Sequence, residues 1–366
     1  MTMELKVYYS TLDTCDNSPE AISALLKDLP IDHICGIVLF CQEDETGYHQ
    51  MLKRFKASFK KFLGRNIPVT LVLQNLLNQE GLTAEIYTLD STENIQFNEG
   101  YGFIQHEESS LIFIEGIASS DFKDSVFKQS TEVFKTLDSI LSRHGFSPDD
   151  IVRQWNYVGN ITHHRDGRQN YQEFNDARTA YYKKGSWSNG YPAATGIGAS
   201  FEGITVGCIA FRSAGRIHPI NNPLQIAAHE YSKNVLVDNN TNAIKSTPKF
   251  ERAKLIEIGE KACCFVSGTA AIRGEQSMDG NSASSQTIQT IENIEYLVSK
   301  ENLEKYGSKP YDLHYVNLRV YIKNDKDYDE IRQIVEKRYP GIPTVYTIAD
   351  ICRPELLVEI EGILIS

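Results

Sequence analysis

Alternation of apolar and polar residues predicts a β-strand near the end of the chain, in the run LLVEIEGIL. Side chains of a strand point alternately to opposite faces of a sheet. Glu359 and Glu361 therefore share one face with Leu357 and Ile363. The opposite face is wholly apolar, with Leu356, Val358, Ile360 and Leu364.

The rest of the pattern alternates between strands and helices. The runs HICGIVLF, VTLVLQ and LIFIEGIA are apolar enough for buried strands. Amphipathic spacing predicts one helix from about Tyr48 to Leu63 and another from about Asp121 to Ser142. Strands and helices mixed in this way predict an α/β (α+β) fold, in which mixed sheets are covered by helices.

A weak internal repeat determines the predicted domains. FIEGIA recurs as FVSGTA, and a Gln/Thr-rich amphipathic helix follows each run. When the later strands are aligned as well, Gly207 stands where Glu359 stands in the second copy. We predict a degenerate N-terminal domain over 1–211 and a C-terminal domain over 212–366 with most of the candidate site. The polar run RSAGRI marks the boundary.

Composition and charge limit the classes of partner. The chain has 366 residues, of which 41% are hydrophobic, so it can bury two ordinary cores. A net charge of −11 argues against nucleic acid and against an anionic membrane, because both require a basic surface. The segment from Met1 to Asn17 does not resemble a signal peptide, and no apolar run is long enough to span a bilayer. We expect a cytoplasmic protein, and a small anionic substrate would need a local arginine pocket.

Residues typical of metal and cofactor sites do not form a pattern. The seven cysteines are odd in number and never occur in a CxxC spacing, so we expect them to be reduced. His163 and His164 are adjacent in a polar loop, without a third ligand at a fixed spacing. No glycine-rich phosphate-binding motif follows a strand. We expect neither a metal nor a cofactor.

Glu359 is the first candidate for chemistry. One interpretation is a solvated charge on the face of a strand. The other is a carboxyl group that its apolar neighbours desolvate, which would raise its pKa until it holds a proton near neutrality. A carboxyl group of that kind can act as a general acid.

Other candidates lie close to Glu359 in the sequence. Cys352 and Arg353 precede it at the end of the preceding strand, so a tight turn could bring all three together. Arginine binds a carboxylate with two parallel hydrogen bonds, although a surface arginine and a buried cysteine are equally compatible with the pattern. Gly268 and Ala270 allow either a ligand or another strand to approach closely.

Several of these runs together resemble one family. FVSGTAAI, PTVYTIADICRPELLVEIEG, NPLQIAAHEY, QTIENI and YQEFNDAR are similar to the chorismatases, which look like two fused Rid-like (YjgF-like, chorismate-mutase-like) domains. The resemblance covers most of the chain from Trp155 to Ile365 and is weak near the N-terminus.

The resemblance implies an activity, which is the metal-independent release of the enolpyruvyl group of chorismate as pyruvate. Glu359 would protonate the methylene carbon of the enol ether. Arg178 and Arg353 would hold the carboxylates of the substrate, and Tyr231 would line the pocket. Cys352 would mark the branch that forms 3-hydroxybenzoate, whereas the hydrolytic branch forms a cyclohexadiene diol.

One departure from the family and two alternative functions remain open. Where the family has a Gly-His-Glu-Ser run, this chain has Arg273 and Gln276, so a different acid is possible. Rid enzymes that hydrolyse imines use an arginine where this chain has Thr344, or Ala194 in the first copy. The other alternative is a non-catalytic protein that binds a small acid. The sequence does not predict an oligomeric state.

Overall fold

The structure is a computed structural model of the chain. It describes residues 5–42, 47–78, 81–89, 95–106, 109–165, 167–213, 216–232, 246–258, 260–278 and 282–366. Within these residues, no helix has both the length and the apolar composition needed to cross a bilayer.

The first part of the chain forms a four-stranded sheet with two helices. The second helix begins after Gly47 and ends at Gly64, whose positive φ of 70° stops it, so it has the predicted bounds. The elements are β1 (Leu5–Leu12), α1 (Pro19–Leu25), β2 (Ile34–Cys41), α2 (Tyr48–Leu63), β3 (Val69–Leu73) and β4 (Leu82–Leu89). The strand order is β1-β4-β2-β3.

A six-stranded sheet follows. Its first helix begins at Val126 and not at Asp121, because the Ser125 side chain accepts a hydrogen bond from the Lys128 N–H and caps the helix there. The elements are β5 (Ile95–Asn98), β6 (Tyr101–His106), β7 (Ser109–Ala118), α3 (Val126–Arg143), β8 (Ile151–Gly159), the hairpin β9 (His164–Arg165) and β10 (Arg168–Gln169), α4 (Asn170–Tyr182), β11 (Ala193–Ala199) and β12 (Ile204–Arg212). The sheet order is β11-β8-β12-β7-β6-β5.

The C-terminal part of the chain forms a second six-stranded sheet, which ends with the strand predicted from the alternation around Glu359. The elements are β13 (Ile217–Ile220), β14 (Ala253–Ile258), β15 (Lys261–Ala270), the hairpin β16 (Ile272–Arg273) and β17 (Gln276–Ser277), α5 (Ala283–Leu297), α6 (Lys300–Lys305), β18 (His314–Ile322), α7 (Tyr328–Arg338), β19 (Thr344–Ile348) and β20 (Val358–Ile365). Its order is β13-β14-β15-β20-β18-β19.

The two six-stranded sheets have the same topology, which supports the repeat found in the sequence. In each, a strand, a helix, a strand, a helix and two strands follow one another, and the middle strands β8 and β18 pair in parallel with β11 and β19. The α/β class with mixed sheets covered by helices is confirmed.

The first sheet repeats the same unit a third time without its two outer strands. β1, α1, β2, α2, β3 and β4 follow the same order, and β2 pairs in parallel with β3. The sequence analysis did not detect this copy. The segment 1–211 thus contains two sheets, and the division at 211 stays a prediction. The predicted boundary run includes residues 214 and 215, which lie outside the described residues.

Ladder partners correct the alignment of the repeats by two residues. Glu359 on β20 is opposite Ala270 and Tyr321, whereas Thr205 on β12 is opposite Ala118 and Tyr157. The residue related to Glu359 is therefore Thr205. Gly207 corresponds instead to Glu361. Gly207 is opposite Trp155 on β8, and Glu361 is opposite Arg319 on β18.

Four charged side chains, one from each of four strands, meet where the three sheets pack together. Arg319 binds Glu85 through two of its nitrogens, Nε at 3.0 Å and Nη2 at 2.6 Å, and its Nη1 lies 3.1 Å from Glu361 Oε1. Arg153 Nη2 lies 2.6 Å from Glu361 Oε2. All four side chains are at most 3% exposed. We call Glu85, Arg153, Arg319 and Glu361 the interior ion network.

Polar neighbours satisfy most of the network. Glu85 also accepts hydrogen bonds from the hydroxyl groups of Tyr9 and Tyr87 and from Asn317. Although burial opposes it, the charge of Arg319 lowers the pKa of Glu85 below its usual value. Glu85 is therefore ionised in the folded protein.

We expect Arg319→Met to lower the free energy of unfolding by about 3–5 kcal/mol, because two buried carboxylates would lose their shared cation. Urea unfolding can be followed by the fluorescence of Trp155, whose indole N–H donates to Glu361. The control is Arg332→Met, which breaks an exposed pair with Glu336 on α7 and should cost about 0.3–0.5 kcal/mol. Similar losses in the two variants would contradict the expectation.

Candidate functional site

A cavity of about 920 Å³, including its open mouth, lies between the second and third sheets. The second sheet contributes α4 and β11. The third contributes β15, the start of β20 and the segments that precede β14 and β20. Every residue that the sequence analysis selected for the site lines this cavity: Arg178, Tyr231, Gly268, Ala270, Cys352, Arg353 and Glu359.

Glu359 is the carboxyl group of this cavity. It is 5% exposed and has no hydrogen-bond partner among the described residues, so the interpretation as a solvated strand charge is wrong. Burial, and then the nearby charge of Glu361, raise its pKa to about 8, while Arg153 and Arg252 act in the opposite direction. Glu359 therefore holds a proton at neutral pH, as a general acid requires.

Gly268 makes room for this carboxyl group. A Cβ atom at this position would overlap Glu359 Oε1 and would lie 3.0 Å from Thr195 Cγ2. The β15–β20 ladder shifts register between Val266 and Thr269, which brings the backbone at Gly268 to the cavity. Because Gly268 has no side chain, the Glu359 carboxyl group can lie close to its backbone.

Three arginines surround the same cavity, of which the sequence analysis identified Arg178 and Arg353 and missed Arg252. Arg178 and Arg252 are 1% and 2% exposed, and the Nε atom of each has no hydrogen-bond partner. Among the described residues, no carboxylate lies within salt-bridge distance of any of the three. Their charge is therefore left for a ligand, and the cavity is suited to an anion with more than one carboxylate.

Tyr231 lies between two of these arginines. Arg252 Nη2 donates to its hydroxyl oxygen at 2.8 Å, and the Arg353 guanidinium lies 5.3 Å from the centre of its ring. Arg353 is held from the other side, because its Nη1 donates to the Glu275 carbonyl oxygen at 2.9 Å and to Ser277 Oγ at 3.0 Å. These contacts fix the direction of both guanidinium groups.

Cys352 is a neutral thiol in this environment. Burial, and then the charge of Glu359, raise its pKa to about 12. Tyr171, on α4, also lines the cavity, and burial raises the pKa of its hydroxyl well above the usual value. Because the reactive form of cysteine is the thiolate, a nucleophilic role for Cys352 has no support here.

Other residues that the sequence analysis discussed lie elsewhere. Arg273 pairs with Glu292 at 2.9 Å in the β16–β17 region, and neither Arg273 nor Gln276 lines the cavity. Of the two Rid arginine positions, Ala194 lines the cavity and Thr344 begins β19. Among the described residues, no group of three His, Cys, Asp or Glu side chains could hold a metal ion.

Known proteins resemble this chain in sequence and in fold. A family model described as "Chorismatase FkbO/Hyg5-like, N-terminal" matches residues 85–210. The chain is 32% identical over 239 residues to a 3-hydroxybenzoate synthase from Streptomyces hygroscopicus, covering 63% of this chain and 67% of that protein. It is 34% identical over 220 residues to a chorismatase from Streptomyces rapamycinicus, covering 58% of this chain and 63% of that protein.

A crystal structure of a chorismatase shares the fold over the whole chain. The TM-score is 0.72 at 23% identity, and the match covers 100% of this chain and 99% of the other. The chain thus has the fold of the chorismatases. By its sequence it also belongs to the chorismatase family.

We expect Arg252→Met to weaken the binding of isophthalate, a ring dicarboxylate, by about 10-fold to 100-fold, because a hydrogen bond to a charged group contributes about 1.5–3 kcal/mol. Isothermal titration calorimetry measures the change. Arg273→Met is the matched control, since Arg273 lies outside the cavity, and its affinity should equal that of the wild type. An unchanged affinity in Arg252→Met would show that this guanidinium does not bind the anion.

Proposed function

We propose that this protein removes the enolpyruvyl group of chorismate as pyruvate and forms 3-hydroxybenzoate, in a reaction that needs no metal or nucleotide. The observation that supports the proposal most directly is the buried carboxyl group of Glu359, which has no hydrogen-bond partner among the described residues. It shares the cavity with three arginines that have no carboxylate partner in the same part of the chain. Chorismate has two carboxylates and an acid-labile enol ether. The names of the curated relatives agree with this substrate.

The proposed reaction begins with proton transfer. Glu359 donates its proton to the terminal methylene carbon of the enol ether, which becomes an oxocarbenium ion. The neighbouring hydroxyl oxygen of the ring attacks the ring carbon that bears the ether oxygen, the bond between these two atoms breaks, and pyruvate leaves with the ether oxygen as its ketone oxygen. The protonated epoxide left on the ring then opens. When the ring aromatises it loses a proton, which restores the Glu359 carboxyl group. Pyruvate and 3-hydroxybenzoate together contain all the atoms of chorismate, so no water is consumed.

Arg178, Arg252 and Arg353 are the groups proposed to hold the two carboxylates. Their guanidinium groups stabilise the dianion, and no carboxylate of the described residues lies within salt-bridge distance to compete for them. They also hold the enol ether near Glu359, which lowers the entropic part of the barrier. The arginine pocket thus supplies binding and orientation, while Glu359 supplies the proton.

Cys352 is proposed to select the product. Its neutral thiol lies in the wall of the cavity and fills space that a water molecule could otherwise occupy. Without that water, the ring hydroxyl oxygen of the substrate displaces pyruvate from the ring carbon, and the ring becomes aromatic. With it, hydrolysis gives the cyclohexadiene diol.

The same assays distinguish the proposed reaction from two alternative functions. A protein that binds dicarboxylates and releases no pyruvate would be a binding module. Imine hydrolysis by a Rid-type mechanism would require an arginine at the position of Ala194, whose methyl group lines the cavity. The cytoplasmic location also stays a prediction.

We expect the purified protein to release pyruvate from chorismate in the presence of EDTA, with a turnover number that falls as the pH rises through about 8, the pKa of Glu359. Glu359→Gln should lower this number by about 10²–10⁴-fold, the usual contribution of a general acid. A coupled pyruvate assay measures both effects.

Glu292→Gln is the control, because this exposed carboxylate pairs with Arg273 outside the cavity, and its turnover should match that of the wild type. Glu361→Gln cannot be the control, since Glu361 belongs to the interior ion network. No pyruvate above background from folded wild-type protein would refute the proposed function.

We expect Cys352→Ala to keep pyruvate release and to change the second product from 3-hydroxybenzoate to a cyclohexadiene diol, because alanine leaves space for water. Mass spectrometry of the aromatic fraction distinguishes the two. Cys208→Ala is the matched control, since Cys208 is a buried cysteine of the second sheet that does not line the cavity. Loss of pyruvate release in Cys352→Ala alone would give Cys352 a role in the cleavage itself.

A further inference from the structure

The hydroxyl group of Thr195 connects the interior ion network to the wall of the cavity. Thr195 Oγ1 accepts a hydrogen bond from Arg153 Nη2 at 2.7 Å and another from the Gly268 N–H at 3.0 Å. It donates its own proton to Glu361 Oε2. One donor and two accepted bonds use the full capacity of a hydroxyl group, so its orientation is fixed.

Glu361 receives only hydrogen-bond donors. Oε1 accepts from the Trp155 indole N–H at 2.9 Å and lies beside Arg319, and Oε2 accepts from Arg153 and Thr195. All four groups donate to Glu361, so a proton on its carboxylate would find no acceptor among them. Glu361 is therefore a fixed negative charge, two residues from Glu359 on the same face of β20.

Glu359, in contrast, lies where no described residue donates a hydrogen bond to its carboxyl group. Its carboxyl group rests against Gly268 and makes no hydrogen bond to a described residue. The charged and titratable groups that act on it are Glu361 from β20, Arg153 from β8, Arg252 from the segment before β14, Cys352 from the loop before β20 and Tyr171 from α4. Of these, Glu361 is the other carboxyl group, and it lies on the same face of the strand.

We propose that Thr195 and Glu361 are positioning residues for Glu359: Thr195 fixes the Gly268 backbone against which the acid rests, and the charge of Glu361, on the same face of β20, adds to burial in opposing a second negative charge there. Neither residue lines the cavity, so neither contacts the substrate. The proposal deepens the proposed function and rests on it only for its kinetic readout.

The neighbouring interface contains the same hydrogen bond without an acid at the position related to Glu359. The Gly116 N–H donates to Thr70 Oγ1 at 2.7 Å, as the Gly268 N–H donates to Thr195. The position related to Glu359 in that copy is Thr205. Thr70 is therefore a matched control, because its removal breaks an equivalent hydrogen bond away from the cavity.

The kinetic test compares Thr195→Val, Thr195→Ser and Thr70→Val. Thr195→Val should lower kcat about 10-fold to 100-fold with little change in KM, because the acid is misplaced while the arginines stay. Thr195→Ser should restore kcat, and Thr70→Val should leave it unchanged. Wild-type kcat in Thr195→Val, or equal losses in Thr195→Val and Thr70→Val, would overturn the positioning role.

The electrostatic test needs no substrate. In protein labelled with ¹³C at the glutamate carboxyl carbons, the Glu359 resonance is the one that disappears in Glu359→Gln. Glu361→Gln should lower its titration midpoint by about one to two pH units, because a like charge about 7 Å away is removed. An unchanged midpoint in folded Glu361→Gln would overturn the proposal.

The wild-type titration decides the question if Glu361→Gln does not fold. A Glu359 midpoint near that of an ordinary glutamate would mean that no neighbour keeps the acid protonated, which would overturn the proposal. A midpoint well above it, together with the Thr195→Val result, supports it. Absence of pyruvate release by the wild type would refute the proposed function, and the titration would still test the electrostatic role of Glu361.

Discussion

The interior ion network is the constraint on which the rest of the structure depends. Glu85 belongs to the first sheet, Arg153 to the second, and Arg319 and Glu361 to the third. Removing these charges from water costs several kcal/mol for each ion, and ion pairs within the third sheet and between sheets compensate that cost. Assembly of all three sheets completes the network, because Glu85 and Arg153 find their ion-pair partners only on the third sheet.

Of the three related units, only the third has an acid at the position of Glu359. The residues related to Glu359 are Thr205 in the second unit and Thr83 in the first. At the interface of the first two units, Thr205 contacts the Tyr48 hydroxyl, and Tyr48 stacks on Phe201 with ring centroids 4.9 Å apart. Aromatic packing thus fills the place of a ligand there. The interface of the second and third units instead has the acid, the arginines and the cavity.

Local pattern was enough to find the strand of Glu359, the helix from Tyr48 to Leu63 and the loop residues Cys352 and Arg353, because their signals lie within a few residues. It could not find Arg252, which precedes an apolar strand and looks like any arginine at a strand end. It also missed the first unit and the partners of Glu361, which are up to about two hundred residues away in the sequence. Contacts of that kind follow from topology, and the periodicity of one segment contains no information about them.

The two glutamates of β20 show how one strand provides two opposite protonation states. Glu361 points into a set of donors with two arginines, which stabilise an anion. Glu359 instead rests against Gly268 in the cavity, where no described residue donates a hydrogen bond to it. Each environment depends on the other, because an ionised Glu361 makes a second negative charge beside it costly. Binding of a dianion would add further negative charge and favour the protonated acid still more. The cavity would therefore hold its proton most firmly when the substrate is present, which is the state in which the proton is needed.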